Sequence, residues 1–527
     1  MATTENPYLQ PIYNALPRLL ASYDTNSAGI TYGIGDRFYW AWSLIDFANA
    51  TIQGGVNGLA RLIKYNLLPE YIEKTSILSR IHAIFQGTFS LIRRNGSLDQ
   101  AFPYEGSYCG TALVLYDSLC CIELLGTYLS QEKIHQYLNN LRPLALYLCK
   151  SEETHGFISN HLAVASAALL KWAKITGEFG QEKGIEILNK ILNKQSSEGW
   201  FTEYEGADPG YQTLCTGYLA DICNMYPQLN LTTPIQKSIH FLSHFVHPDG
   251  SFGGVYGSRN TRFYFPAGFE YFAKSMPEAK ALAVNMRNSI SNLLCPGLES
   301  MDAPNLVPMF NSYCWAASLY EKLEISSADN LPCNSKKSFQ IYFRDAGLFI
   351  NKGINTYTII STHKGGVVYH FLNKTLHRVN TGVVLENHKL KRFTNQIYQP
   401  SNQVFIDKDV ITIRADIKPV RCILPSPWQF GTLRYLNISI MRIPYIREKI
   451  KQILALFLIT AKGKSKGYII REITLNVNDT INISDKLQVG KNFKQLQVKH
   501  PFTAIHMASQ GYWQKQDDNN VAQQDFS

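Results

Sequence analysis

Residues 198–213, EGWFTEYEGADPGYQT, form a polar loop rich in glycine and aromatics that runs directly into an apolar segment of helical period, YQTLCTGYLADICNMY. Two other loops do the same, SNH at 159–161 and HPDGSFGGVYGSRNT at 247–261. Each is followed by two periodic segments: HLAVASAALLKWAKITG with IEILNKILNK, YQTLCTGYLADICNMY with IQKSIHFLSHFV, and FPAGFEYFAK with EAKALAVNMRNSISNLL. Helices leaving the loops are expected near residues 161, 211 and 265, a recurrence of about fifty residues that fits an αα-hairpin array. The loop NGSLDQAFPYEGSYCG (95–110) and the segment after it extend the series back to about 106, and MFNSYCWAASLYEKLE closes it. Successive hairpins return the chain to the same side. The loops are therefore predicted to gather at one end of an α/α toroid, where a site is expected.

Outward from this repeat, residues 1–30 read as an irregular arm with one short helix. DRFYWAWSLIDFANATIQ (36–53) reads as an amphipathic helix capped by Asp36, with helices over GLARLIKYNLL and TSILSRIHAIFQGTFSLI after it. The pattern stops between Glu324 and Ser338, where ISSADNLPCNSKKS has no periodicity and reads as a linker. From Phe339 onward, β-branched and aromatic residues alternate with polar ones in FQIYF, YTIIST, GVVYHFL, QVFID, VITIRADI, GYIIREITLNV and TINISDKL. HKGGVV (363–368) places a Gly-Gly turn between two such runs, and VNDTINI holds a second turn. IREKIKQILALFL (446–458) is the single helical interruption expected, and ILALFLITA (453–461) reads as a buried helix or strand. The expected class is α+β multidomain: an α/α toroid of helical hairpins over 1–330, an antiparallel β-sandwich over 331–512 and a disordered tail over 513–527.

The chain has 527 residues, enough for more than one domain with a substantial core. Hydrophobic residues at 45% and charged residues at 17% are those of a globular protein. The formal net charge of +10 favours an anionic partner. No Lys/Arg-rich block accompanies it, so an anionic polymer or small acid is expected rather than nucleic acid. Aromatics make up 12%, and Tyr104, Trp200, Tyr204 and Tyr211 fall near loop ends, as in clefts that bind sugar rings. The start, MATTENPYLQPIYNALP, has neither a basic nor an apolar signal region, so the expectation is a cytoplasmic protein, with non-classical export left open. No apolar run reaches the ~18 residues of a membrane span. Ten cysteines without CxxC spacing read as reduced core thiols. Neither a cofactor nor a metal ligand set is expected.

A helical toroid followed by a β-sandwich is the layout of several uronate polysaccharide lyases, and the motifs carry the likeness further. SNHLAVASAALLKWAKITGE resembles the Asn-His helix start of the heparinase II/III-like and alginate-lyase-like family, and EGWFTEYEGADPGYQTL resembles the segment with its catalytic tyrosine. STHKGGVVYHF resembles the β-domain stretch that projects a further histidine into the cleft, although the family's His-rich run after the glycines is missing. The resemblance implies an anionic polysaccharide or oligosaccharide as partner. It also implies β-elimination by Asn160, His161 and Tyr211 with His363 or His370, and substrate contacts from Arg259, Arg262, Tyr104, Trp200 and Tyr204. Such a lyase removes the C5 proton of a uronate after its carboxylate has been neutralised. Asn160, His161 and a helix N-terminus suit the neutralising role, and Tyr211 suits the proton transfer. Arginines suit the carboxylates or sulfates of the polymer.

The same residues have structural uses. Asn160 is a good N-cap with His161 beside it, and Tyr211 can anchor the DPG turn. Arg259 can pair with Asp249 or Glu270, His363 can be solvated, Asp208 can serve the turn, and Glu205 can be a surface carboxylate. A uronate C5-epimerase, which returns the proton to the same carbanion, and a non-catalytic acidic-glycan-binding or assembly protein remain as alternatives.

Overall fold

The structure is a computed structural model that describes residues 6–154, 156–323, 328, 330–420, 426–455, 463–476, 479–498, 500–505 and 511–513. Thirteen helices precede the first strand among these residues: α1 Leu9–Leu20, α2 Arg37–Trp40, α3 Val56–Lys64, α4 Lys74–Leu91, α5 Tyr108–Leu124, α6 Gln131–Lys150, α7 Ser159–Thr176, α8 Gln181–Asn193, α9 Pro209–Met225, α10 Thr232–Ser243, α11 Ala267–Phe272, α12 Pro277–Ser291 and α13 Ala303–Leu319. The odd-numbered helices α3 to α13 each pack on the next, and α13 packs back on α3, which closes an inner ring of six. α7 shows why such a ring can close tightly. It is buried from Leu162 to Ala173, and Ala163, Ala165, Ala167 and Ala168 let α5, α8 and α9 approach its backbone. The inner helices begin at caps legible in the loops. Ser107 Oγ accepts from Gly110 N at 3.0 Å, and Asp208 Oδ1 accepts from Tyr211 N at 3.2 Å with Pro209 in the first turn.

The helix expected over 36–53 does not form. Asp36 caps only α2, and its other oxygen accepts from Asn49 N at 2.8 Å, which closes the segment into a loop before a 3₁₀ turn at Ala50–Gly55. Trp42 and Leu44 sit in this loop at φ of +65° and +58°.

Strands β1 Phe339–Phe343, β2 Leu348–Lys352, β3 Thr356–Ser361, β4 Val367–Leu372 and β5 Thr375–Asn380 form a five-stranded antiparallel meander in that order. β6 Val384–Asn387, β7 Arg392–Thr394, β8 Gln403–Asp407, β9 Val410–Asp416, β10 Lys418–Pro419, β11 Gly467–Leu475, β12 Ile481–Val489 and β13 Phe493–Leu496 make two four-stranded sheets, β10-β7-β6-β13 and β12-β11-β9-β8. The molecule is thus a closed α/α toroid followed by an antiparallel β-sandwich. The meander is the middle layer. Its Ile350, Tyr357, Ile359, Tyr369 and Phe371 join the toroid core, while Phe349, Ile360 and Val368 face Ile411, Ile413, Ile469 and Ile473 of the outer sheet. Burial on both faces explains why β3 and β4 read as near-continuous apolar runs. The turn between them needs its two glycines, since Gly365 and Gly366 have φ of +61° and +83°, and a Cβ on Gly365 would lie 2.3 Å from Asn395 O.

Two helices interrupt the β-domain among the described residues, α14 Pro427–Ile438 and α15 Pro444–Ala455, where the sequence led us to expect one. The run 453–461 is not buried where it is described: Ile453 is exposed, and residues 456–462 lie outside the described residues. So do residues 514–527 of the expected disordered tail and residues 477–478 of the second turn. The chain ends its described course back on the toroid, with Asp302 N donating to Gly511 O and Tyr512 bridged to Met301.

Candidate functional site

The loops that open α5, α7 and α9 converge, joined by the segment before α11. Short antiparallel contacts zip 157–159 to 202–206: Ser159 N donates to Thr202 O at 3.1 Å and Tyr204 N to Phe157 O at 2.8 Å. This puts Asn160, at the start of α7, against Glu203, and its Nδ2 lies 2.9 Å from both carboxylate oxygens. Both side chains are buried. Burial pushes the Glu203 carboxyl up to about 8, against the pull of the Arg259 cation and the Asn160 amide, and nearby Asp208 adds to the push. Near neutrality Glu203 therefore stands between acid and base, as a proton-transferring group must.

Arg259 reaches this point from the third loop. Asp208 Oδ2 accepts from its backbone N at 2.9 Å, while Asp208 Oδ1 accepts from Thr261 Oγ1 and caps α9. One fully buried carboxylate thus fixes two loops together. The Arg259 guanidinium lies 4.1 Å over the Tyr204 ring, and its Nε is buried with no hydrogen bond among the described residues. Tyr204 holds a left-handed backbone at φ +60°, and burial pushes its phenol up to about 12. The expected alternative partner Glu270 is already taken by Arg287, at 2.7 and 2.5 Å, and by Tyr8.

His161 is partly exposed, with Nδ1 2.8 Å from the buried Glu153 Oε2. Tyr211 is half-buried one turn into α9 and meets Phe263 edge-on at 5.4 Å. Asn160, His161, Tyr204, Tyr211 and Arg259 accordingly share the loop end of the inner ring. Within the ring lies a cavity of about 30 Å³ between Asn57, Asp117, Asn311 and Tyr218. That is room for a water rather than a sugar.

The β-domain supplies the turn 362–366. His363 is buried between Gly347 and Tyr398, with Nδ1 3.3 Å from Tyr398 Oη, and that hydroxyl abuts the Gly206 backbone. His363 is therefore one side chain removed from the 203–206 loop. His370 is not brought to the site. It lies on the β4 face opposite Tyr369 and Phe371, bound to Thr358 Oγ1 at 2.8 Å and Asp479 O at 3.2 Å. Trp200 is also no cleft residue. It is buried in the core, and its Nε1 donates to Glu198, whose oxygens accept from Asp345 N and Ala346 N of the β-domain. Tyr104 stands apart, its ring between the guanidinia of Arg93 at 4.5 Å and Arg442 at 5.1 Å. Arg262 exerts its charge on buried His247 rather than on Glu203.

Two residues of the cluster were not anticipated. Glu203 is one. Lys364 is the other: its Nζ is buried in the toroid loop, donating to Val255 O at 2.6 Å, Gly257 O at 3.2 Å and Asn260 Oδ1. Burial pulls its ammonium down to about 7. It pins the loop carrying Arg259 to the β-domain. Among the described residues, no group of three or more His, Cys, Asp or Glu is arranged to hold a metal ion.

No protein-family model matches the chain, and no curated protein matches it. Solved structures with a similar fold include heparinase III, at 10% identity over 90% of this chain and 79% of that one, with a TM-score of 0.49. A cellobiose 2-epimerase from Bacillus thermoamylovorans B4167 covers 60% of this chain and 99% of its own, at 10% identity and a TM-score of 0.44. A Paenibacillus xanthan lyase covers 78% and 45%, at 10% identity and a TM-score of 0.45. At such identities and scores the likeness assigns no reaction to this chain.

Proposed function

We propose that this chain is a polysaccharide lyase that cleaves a uronate-containing anionic glycan by β-elimination. The observation that carries the reading is Arg259, a cation stacked on Tyr204 with a buried Nε that has no partner among the described residues, within reach of protonatable Glu203. A buried donor left without a partner costs about 1–3 kcal/mol, which an arriving carboxylate would recover. In this reading Arg259 and Asn160 neutralise the uronate carboxylate and so acidify C5. Tyr211, as the phenolate, takes the C5 proton and delivers it to the C4 oxygen as the C4–O bond breaks and the C4–C5 double bond forms. His161 holds a flanking hydroxyl, and His363 supports the 203–206 loop from behind through Tyr398.

Glu203 favours a second reading. A C5-epimerase needs proton-transferring groups on both faces of the ring, and Glu203 with Tyr211 would provide two. A panel of polyuronates and their oligosaccharides separates the readings. The lyase yields unsaturated ends that absorb in the near ultraviolet. The epimerase yields none but exchanges C5 hydrogen with deuterated solvent. A panel in which acidic glycans bind with neither outcome leaves a binding or assembly protein.

A further inference from the structure

Helices α14 and α15 leave large apolar side chains in solvent. α15 faces inward with half-buried Ile446, Ile450 and Leu454 beside buried Arg447 and Lys451; Lys451 Nζ donates to Gly106 O at 3.3 Å, and Glu448 accepts from Thr154 Oγ1 at 2.7 Å. Its outward stripe, at i, i+4 and i+8, is Tyr445, Lys449 and Ile453. α14 buries only Asn437, whose side-chain N and O have no hydrogen-bond partner among the described residues, and exposes Trp428 at 87% and Tyr435 at 68%.

The loop before α3 adds to the same surface. The Arg434 guanidinium of α14 pairs with Asp46 at 3.0 Å and lies 5.6 Å over Phe47, which sets α14 beside the segment where Trp42 and Leu44 are 90% and 97% exposed. Both are held at positive φ with their side chains outward. Two domains thus contribute large apolar side chains to one region, beyond the scattered exposure usual on a globular surface.

Charge identifies what would cover it. Of the described residues of 426–455 and 463–466, Arg442, Lys449, Lys464 and Lys466 are exposed cations, while Arg434 is paired with Asp46 and the carboxylate Glu448 faces inward, in a chain of net charge +10. At the foot of the insertion, Lys464 and Lys466 line an open groove with Lys389, Lys391 and His388. Exposed Trp and Tyr beside Lys and Arg, on helices that lie along a surface, suit the headgroup level of an anionic bilayer.

We infer that α14, α15 and the 38–45 loop form an interfacial docking surface for an anionic lipid bilayer. The chain lies on the membrane there without crossing it.

The test is vesicle flotation of the full chain with phosphatidylcholine alone and with phosphatidylcholine mixed with phosphatidylglycerol. The wild type is expected to float with the anionic vesicles only, and less as salt rises. A Trp428→Ser/Tyr445→Ser variant and a Lys449→Glu/Lys464→Glu/Lys466→Glu variant should each bind about tenfold or more weakly with unchanged melting. Salt dependence of the wild type is a second readout that needs no variant. Failure to float with anionic vesicles overturns the inference, as does equal flotation with neutral ones. It is also overturned if the surface proves to be a self-association face, with a wild-type dimer that the Ser variant dissociates. Retention of a soluble polyuronate on these residues without vesicle binding would overturn it too.

Discussion

The two ends of the inner helical ring carry similar residues in opposite states. Towards the C-terminal ends of α5, α7 and α9, buried Lys171 meets Glu123 at 2.7 Å and Asp221 at 3.3 Å, and Tyr116 Oη donates to Asp221 at 2.9 Å. Arg61 there donates to Asn57 Oδ1 at 3.1 Å and lies 5.0 Å over Trp315. At the loop end Arg259 keeps a buried Nε without a partner among the described residues, and the buried Glu203 carboxyl is pushed up to about 8 rather than held ionised. A satisfied network is what a fold needs to close a ring. An unsatisfied one persists only where the surroundings hold it or a ligand completes it. The same residue types therefore read as cement at one end and as a site at the other.

The contrast is sharpest if the cement is removed. Lys171→Met leaves Asp221 buried beside Tyr116 with its cation gone, and an uncompensated buried charge costs about 3–5 kcal/mol. Denaturant titration should show a loss of this size, while acidic-glycan affinity of the folded fraction stays unchanged. A mild loss of stability, or a specific loss of binding, would erase the distinction between the ends.

Tyr211→Phe probes the other end. It removes one oxygen and leaves the edge-on contact with Phe263 in place. A proton-transferring tyrosine should lose on the order of a hundredfold or more in kcat. A packing tyrosine would lose only about 1 kcal/mol of stability. Melting and turnover are to be measured on one preparation, since partial unfolding imitates a catalytic defect.

How much of this was legible in the sequence varied with the range of the interaction. The inner helices start at Ser159, Pro209 and Ala267, beside the positions expected from the loop repeat, because the caps and apolar periods that set them are local. The failed helix at 36–53 had a genuine cap in Asp36. What the local pattern could not reveal is that the same carboxylate also ties down Asn49 N, thirteen residues on. α14 was missed although Ser426, Pro427 and Gln429 make a capping box. Within the site, the phase of the repeat brought Asn160, Tyr211 and Arg259 together. It gave no means of choosing Glu203 over Glu198 and Glu205, since tertiary packing alone buries one of the three. Lys364 was unreadable for the same reason: its acceptors lie more than a hundred residues away.

A smaller effect is expected at Arg259 itself. Arg259→Met keeps an apolar stem over Tyr204 and removes the charge, so stability should change by less than about 1 kcal/mol. Affinity for acidic oligosaccharides should fall about tenfold to a hundredfold, the range for losing a charge-assisted contact. Titration calorimetry with charged and carboxyl-reduced oligosaccharides checks this. Equal losses on both would mean that Arg259 shapes the loop rather than reads the carboxylate.

The most gradual effect, and the one most specific to the loop end, is the pH dependence conferred by Glu203. Its folded-state pKa of about 8 lies above the ordinary 4.5 because burial disfavours the ionised form. Between those values the folded protein holds a proton that the unfolded chain has released. The number of protons bound is then larger in the folded state, so stability must fall as pH rises through this window. Glu203→Gln keeps the shape and cannot ionise, so its own contribution is flat. The melting temperature of the variant relative to the wild type should therefore climb steadily from pH 4.5 to about 8 and level off above it. Lys171 is the control for the comparison, because its partners hold its ammonium above the ordinary lysine range and leave nothing to titrate near neutrality. Lys364 acts in the opposite sense over a higher window, from about 7 to 10.5, so the two contributions overlap only narrowly, near pH 7 to 8. A difference that stays constant across pH 4.5–8 would mean that Glu203 is ionised throughout, paired with Arg259 as firmly as Lys171 is with Asp221. The two ends of the ring would then be alike.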